Sequence, residues 1–175
     1  MSSNSSGELD LLEWMDSVGT ELDRLGCRWV IAGAVAASRY RLVPRVTTDL
    51  DILTTWDRRI PEVFGALGYS VILVPHSANP PDLVVLSAGG HRIELILAAV
   101  EYQMTAIERG QKDHFLTPED VIIHKLIAWR PRDRDDIASI LAAGVPLDID
   151  YIEYWASEWD VLDRWHTATR RLGRK

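Results

Sequence analysis

The chain has 175 residues, enough for one core with room for a small helical appendage. Its 47% hydrophobic and 26% charged residues match a soluble globular protein, which excludes disordered and fibrous classes, and the lone Cys27 excludes an internal disulfide or a zinc-type cysteine cluster. The net charge of −7 is polarised: residues 164–175 carry five bases and no acid, leaving 14 bases against 26 acids before them, so a broad nucleic-acid-coating surface is disfavoured while local acid clusters for a divalent metal are not.

The N-terminal segment is polar, without the basic and apolar regions of a signal peptide, and no apolar run approaches the roughly 18 residues of a membrane span; the expectation is a cytoplasmic protein with no membrane contact. Leu11, Leu12, Met15, Val18, Leu22 and Leu25 recur at helical spacing, predicting an amphipathic helix that stops at Gly26. Residues 28–32 form a β-prone run, Gly33 a tight turn, and 34–40 a second helix that Pro44 cannot continue. Residues 49–53 alternate polar and apolar, as a half-buried strand does. A helix over 60–67 and β-like runs over 69–74, 82–86 and 92–97 follow, separated by Pro, Asn and Gly breaks. Residues 98–109 read as helix. Thr117, Pro118, Glu119 and Asp120 supply a cap, a first-position proline and first-turn acids for a helix over 118–129. Further helices are predicted over 133–143 and 148–171. The expectation is an α/β (α+β) fold: residues 1–116 as a small mixed sheet flanked by helices, and 117–175 as a C-terminal helical region packed on that core.

Asp49 and Asp51, at i and i+2 on a strand, point the same way. Like charges held together suit a pair of hard cations such as Mg²⁺, although two solvated acids on an exposed strand edge are the simpler explanation of the pair taken alone. Gly33 and Ala34 lie where a strand meets a helix N-terminus, where exposed N–H groups can hold phosphate oxygens. Glu94 stands in an otherwise apolar strand and wants a partner; beside the aspartates it would complete a three-carboxylate cluster, and otherwise it faces Arg92 or solvent. The five histidines show no metal-ligand spacing, and the tryptophans read as packing residues.

Together these residues resemble the nucleotidyltransferases of the DNA polymerase β superfamily. Ala32-Gly33-Ala34-Val35-Ala36 and Arg45-Val46-Thr47-Thr48-Asp49-Leu50-Asp51-Ile52 are similar to the glycine-turn and Asp-x-Asp segments of the AbiEii-type and MenT-type toxins. The run from Thr117 through His124, Lys125 and Arg130 to Asp133 and Asp136 is similar to that group's later helix pair. The resemblance implies an NTP-dependent enzyme, with ATP a candidate substrate, that releases pyrophosphate and uses two Mg²⁺ ions. It implies metal ligation by Asp49, Asp51 and Glu94, catalytic roles for these three with Lys125, and nucleotide binding by Gly33, Ala34, Arg45, Thr48, Lys125 and Arg130. A tRNA 3′ end as acceptor and a cognate antitoxin as partner are implied by the toxin group. An antibiotic nucleotidyltransferase acting on an aminoglycoside or lincosamide, and a non-catalytic nucleotide- or partner-binding relative, are the alternatives. Two departures stand out: Ala34 replaces the usual second glycine or serine, and Glu94 replaces the usual aspartate.

Overall fold

The computed structural model describes residues 5–43 and 47–170. The chain forms two compact units, residues 1–32 with 46–115 and residues 33–45 with 116–175.

The first unit carries the sheet. Its elements in chain order are α1 (Ser5–Leu25), β1 (Trp29–Ile31), β2 (Asp49–Thr54), α3 (Ile60–Ala66), β3 (Ser70–Val74), β4 (Leu83–Ala88), β5 (His91–Leu97) and α4 (Glu101–Gly110), with α2 (Gly33–Tyr40) belonging to the second unit. The five strands lie in the order β1-β2-β5-β4-β3; β2 and β5 are parallel and the other neighbours antiparallel, giving the mixed sheet expected. Helix α1 starts as early as Ser5, earlier than its apolar spacing suggested. Helix α4 starts at Glu101 rather than residue 98, because the Ala98 N–H still donates to Thr54 O at 2.8 Å and the Ala99 N–H to Gln103 Oε1 at 2.7 Å.

The core of this unit is aliphatic: Leu50, Ile52, Val84, Leu86, Ile93 and Leu95 are each 1% exposed or less. Trp29 ties α1 to the sheet. Its indole N–H donates to Asp23 Oδ1 at 2.8 Å, and its ring stacks on His114 with centroids 4.1 Å apart. The ring's outer edge lies against Gly19 of α1, where a Cβ would fall onto it.

The second unit is helical: α2, α5 (Pro118–Ala128), α6 (Pro131–Ala143), α7 (Ile149–Glu158) and α8 (Leu162–Arg170). The expected helix over 148–171 is therefore two helices. Asp160 takes φ +55°, a left-handed conformation that aspartate tolerates better than most residues, and the chain turns there without glycine or proline. Thr117 caps α5 as expected, accepting the Asp120 N–H, and Asp148 caps α7 by accepting the Tyr151 N–H. Two buried acids fasten the start of α5 to α7: Asp120 accepts from the Tyr151 hydroxyl at 2.8 Å and Glu119 from the Asp148 N–H at 3.1 Å. Arg164 of α8 donates to the carbonyls of Leu126 and Ile127 at 2.8 and 2.9 Å, satisfying acceptors that α5 leaves open at its C-terminus. Among the described residues no helix is long and apolar enough to cross a membrane.

Gly19→Ala gains up to about 1 kcal/mol of helix propensity but drives a methyl into the Trp29 ring, and overpacking costs roughly 1–3 kcal/mol. The variant should lose net stability in equilibrium chemical denaturation, with Gly26→Ala, where no atom lies within 4 Å, separating steric from backbone cost.

Candidate active site

The carboxylates predicted to hold metal lie at one end of β2 and β5. In β2, Asp49 is exposed and Asp51 half-buried, while Leu50 and Ile52 between and beyond them are buried, so the two acids share the face away from those aliphatic side chains. In β5, Arg92 and Glu94 alternate with buried Ile93 and Leu95 in the same way. The parallel register puts Asp49 opposite Arg92 and Asp51 opposite Glu94. Opposed residues of neighbouring strands project to the same side, so three acids and one arginine form a single charged patch.

Backbone contacts fix the aspartates. The Asp51 carbonyl accepts from the Ala32 N–H at 2.8 Å, which holds β2 to the chain leaving β1, and the Asp49 N–H donates to Thr47 Oγ1 at 3.3 Å. Thr48 is exposed beside them, and Arg45 lies outside the described residues. Glu94 is engaged: Arg92 donates to its Oε1 through Nε at 2.9 Å and Nη2 at 2.7 Å. Among the described residues no three His, Cys, Asp or Glu side chains are already drawn into a metal cage. The donor set itself is hard carboxylate oxygen on two adjacent strands, the chemistry that Mg²⁺ prefers, so the residues present fit that ion.

The other predicted residues belong to the helical unit. Gly33 opens α2 at φ +60°, a conformation costly for any residue with a Cβ, and Ala34 follows in the first turn, where backbone N–H groups lack intrahelical partners. Lys125 is 6% exposed. Its Nζ lies 3.2 Å from Asp133 Oδ1 and 2.8 Å from Asp136 Oδ2. Arg130 closes on Asp133 from the other side, its Nε 2.7 Å from Oδ2, and its backbone N–H donates to the same oxygen at 3.0 Å. Arg41, just past α2, donates to Asp136 Oδ1. Two buried carboxylates thus meet three cations from three segments. Burial alone would push the Asp133 carboxyl up, but the Arg130 hydrogen bonds and the Lys125 charge outweigh it and leave the group below its ordinary range. Burial, then the Lys125 charge, pull the neighbouring His124 imidazole down to about 4.

Two participants had no place among the candidate site residues. Arg92 carried a readable signal, two residues from Glu94 on one strand face. Arg41 carried none, because its partner Asp136 is 95 residues away.

A family model described as "Nucleotidyltransferase of unknown function (DUF6036)" matches residues 9–170. No curated protein sequence matches the chain. Among solved structures, the antibiotic-resistance factor ANT(2'')-Ia shares the fold with a TM-score of 0.57 at 13% identity, over 95% of this chain and 99% of that one. An antigenic nucleotidyltransferase-like protein from Paracoccidioides brasiliensis aligns with a TM-score of 0.44 at 17% identity, over 75% of this chain and 73% of that one.

Removing one member of a buried charge network leaves its partners unpaired at roughly 3–5 kcal/mol. Lys125→Met, with Arg41 and Arg130 still in place, should fall near the lower end, about 3 kcal/mol, in denaturant unfolding. Acid should act through His124. With a folded value of about 4 against 6.5 unfolded, the unfolded chain binds more protons between those limits, so stability is full above about pH 6.5 and declines as pH falls toward 4. His124→Gln should flatten that slope in melting temperatures recorded from pH 7 to 4.

Proposed function

This chain belongs to the DUF6036 family of nucleotidyltransferases of unknown function, and from that premise we propose that it transfers a nucleoside monophosphate from an NTP to an acceptor hydroxyl, releasing pyrophosphate. The observation that carries the reading is the β2–β5 register, which sets Asp51 opposite Glu94 with Asp49 on the same face. Mg²⁺ bound by the oxygens of Asp49, Asp51 and Glu94 would supply charge neutralisation for the triphosphate and for the ionising acceptor hydroxyl.

The chain's own residues divide the remaining work. Glu94 is the proposed general base, taking the acceptor's proton on a carboxylate oxygen once Arg92 lets it go. The N–H groups of the Gly33 turn and Ala34, with Thr48 and Arg45, are proposed donors to phosphate oxygens; Ala34 keeps the N–H of the usual glycine or serine, adding a methyl to the one and lacking the hydroxyl of the other. Arg130, whose side chain is 54% exposed although it pairs with Asp133, is a further proposed phosphate contact. Lys125, enclosed by Asp133 and Asp136, is assigned to holding α5 and α6 together rather than to the nucleotide.

For the acceptor, the AbiEii and MenT resemblance favours a tRNA 3′ end and an antitoxin partner. Charge favours a second acceptor, a small cationic molecule such as an aminoglycoside. The first 163 residues carry 26 acids against 14 bases, and two cations that could have met RNA, Arg41 and Arg164, are spent on Asp136 and on the α5 carbonyls. The similar fold of an antibiotic-resistance factor is in keeping with that second reading. A buried lone Cys27 suits a reducing cytoplasm.

Incubation with each α-labelled NTP, Mg²⁺ and either total RNA or a panel of aminoglycosides should move label onto one acceptor class. Asp49→Ala and Asp51→Ala should each abolish transfer with the fold retained; activity in the double variant ends the reading. Glu94→Gln should lower turnover by roughly 10²–10⁴-fold with little change in NTP affinity. NTP binding with no label transferred to any acceptor would point to a non-catalytic relative.

A further inference from the structure

The patch on β2 and β5 holds a cation of its own. Arg92 stands in register with Asp49 and places Nε and Nη2 on the same oxygen of Glu94, Oε1, at 2.9 and 2.7 Å. Two donors on one acceptor fill the lone-pair directions of Oε1, and a guanidinium held on that oxygen opposes a divalent cation approaching the same carboxylate. Glu94 is also confined by its neighbours: Asp51 lies opposite on β2 and buried Val85 opposite on β4. Any other partner of the carboxylate must therefore stand on the same face.

We propose that Arg92 is the resident counterion of Glu94 in the metal-free protein, and that the Arg92–Glu94 pair and divalent-metal ligation through Glu94 Oε1 are mutually exclusive. The inference rests on the metal reading of Asp49, Asp51 and Glu94 and adds to it a competitor. Without metal, three acids on one strand pair would repel, and the guanidinium neutralises one of them. When metal arrives at Asp49 and Asp51, Glu94 brings Oε1 to it only by giving up Arg92. The side chains are 52% and 31% exposed, so the pair is a weak, solvent-screened one that a divalent ion can displace. Arg92 is thus a positioning residue: it parks the proposed base away from the metal until the metal is present, and it lowers metal affinity by the worth of the pair.

The test is calorimetric titration of Mn²⁺ into the nucleotide-free, full-length protein at high salt, where charge effects at a distance are screened. Arg92→Gln should tighten binding about two- to fivefold, the range an exposed ion pair can withhold. Arg92→Lys, which keeps the charge, should stay near wild type. In a Glu94→Gln background, where no carboxylate remains to compete for, Arg92→Gln should change affinity by far less. Unchanged or weaker binding in Arg92→Gln overturns the proposal, as does an equal gain in both backgrounds, which would mark a general charge effect. Asp51→Ala separates this failure from that of the underlying reading. If Asp51→Ala abolishes Mn²⁺ binding while Arg92→Gln is silent, the metal site stands and the competition falls; if the wild type binds no Mn²⁺, or Asp51→Ala binds it unchanged, both fall.

Discussion

The pairing of β2 with β5 is the constraint from which the candidate site follows. Two parallel strands bring Asp51 and Glu94 side by side, although 43 residues separate them in the chain, and they do so while Leu50, Ile52, Ile93 and Leu95 fill the opposite face. The arrangement resists slippage. Moving β5 by one residue would put Glu94 into the aliphatic layer and Ile93 onto the charged face, which costs both the buried area of isoleucine and the desolvation of a carboxylate. Hydrophobic burial on one side of the sheet thus sets the geometry of like charges on the other, and the repulsion there is tolerable because Arg92 neutralises part of it.

The helical unit handles charge in the opposite manner. Asp133 and Asp136 are 0% and 1% exposed, and an isolated carboxylate at either place would be untenable, so the fold surrounds them with Lys125, Arg130 and Arg41. Such networks are expensive to assemble and more expensive to break, which makes them better at specifying one arrangement of α5 and α6 than at adding net stability. The same expense bears on function: a lysine committed to two buried acids is poorly placed to serve a substrate, whereas the loosely paired, half-exposed arginine on β5 can change partners.

Much of the fold was legible because its signals are local. The Asp49 to Leu53 alternation, the Thr117 cap with Pro118 behind it, and the glycine turn at Gly33 each announce an element from a few neighbouring residues. What escaped had non-local causes. Nothing within residues 148–171 breaks a helix by composition, yet Asp160 turns the chain between α7 and α8. The acids that Lys125 pairs with lie on the next helix, and spacing along α5 cannot show that they fold back onto it. Glu94 was legible as an acid needing a partner; its present partner, Arg92, was visible two positions away.

The central claim is that Asp49, Asp51 and Glu94 form one metal-binding face. Anomalous diffraction from crystals grown with Mn²⁺ and a non-hydrolysable NTP tests it most directly. The account predicts strong peaks at the Asp49–Asp51 end of β2, two of them about 3.5–4 Å apart as in two-metal phosphoryl-transfer sites, with Glu94 turned away from Arg92 toward the metal. Well-occupied nucleotide and Mn²⁺ elsewhere in the molecule, with Glu94 still on Arg92, would contradict it.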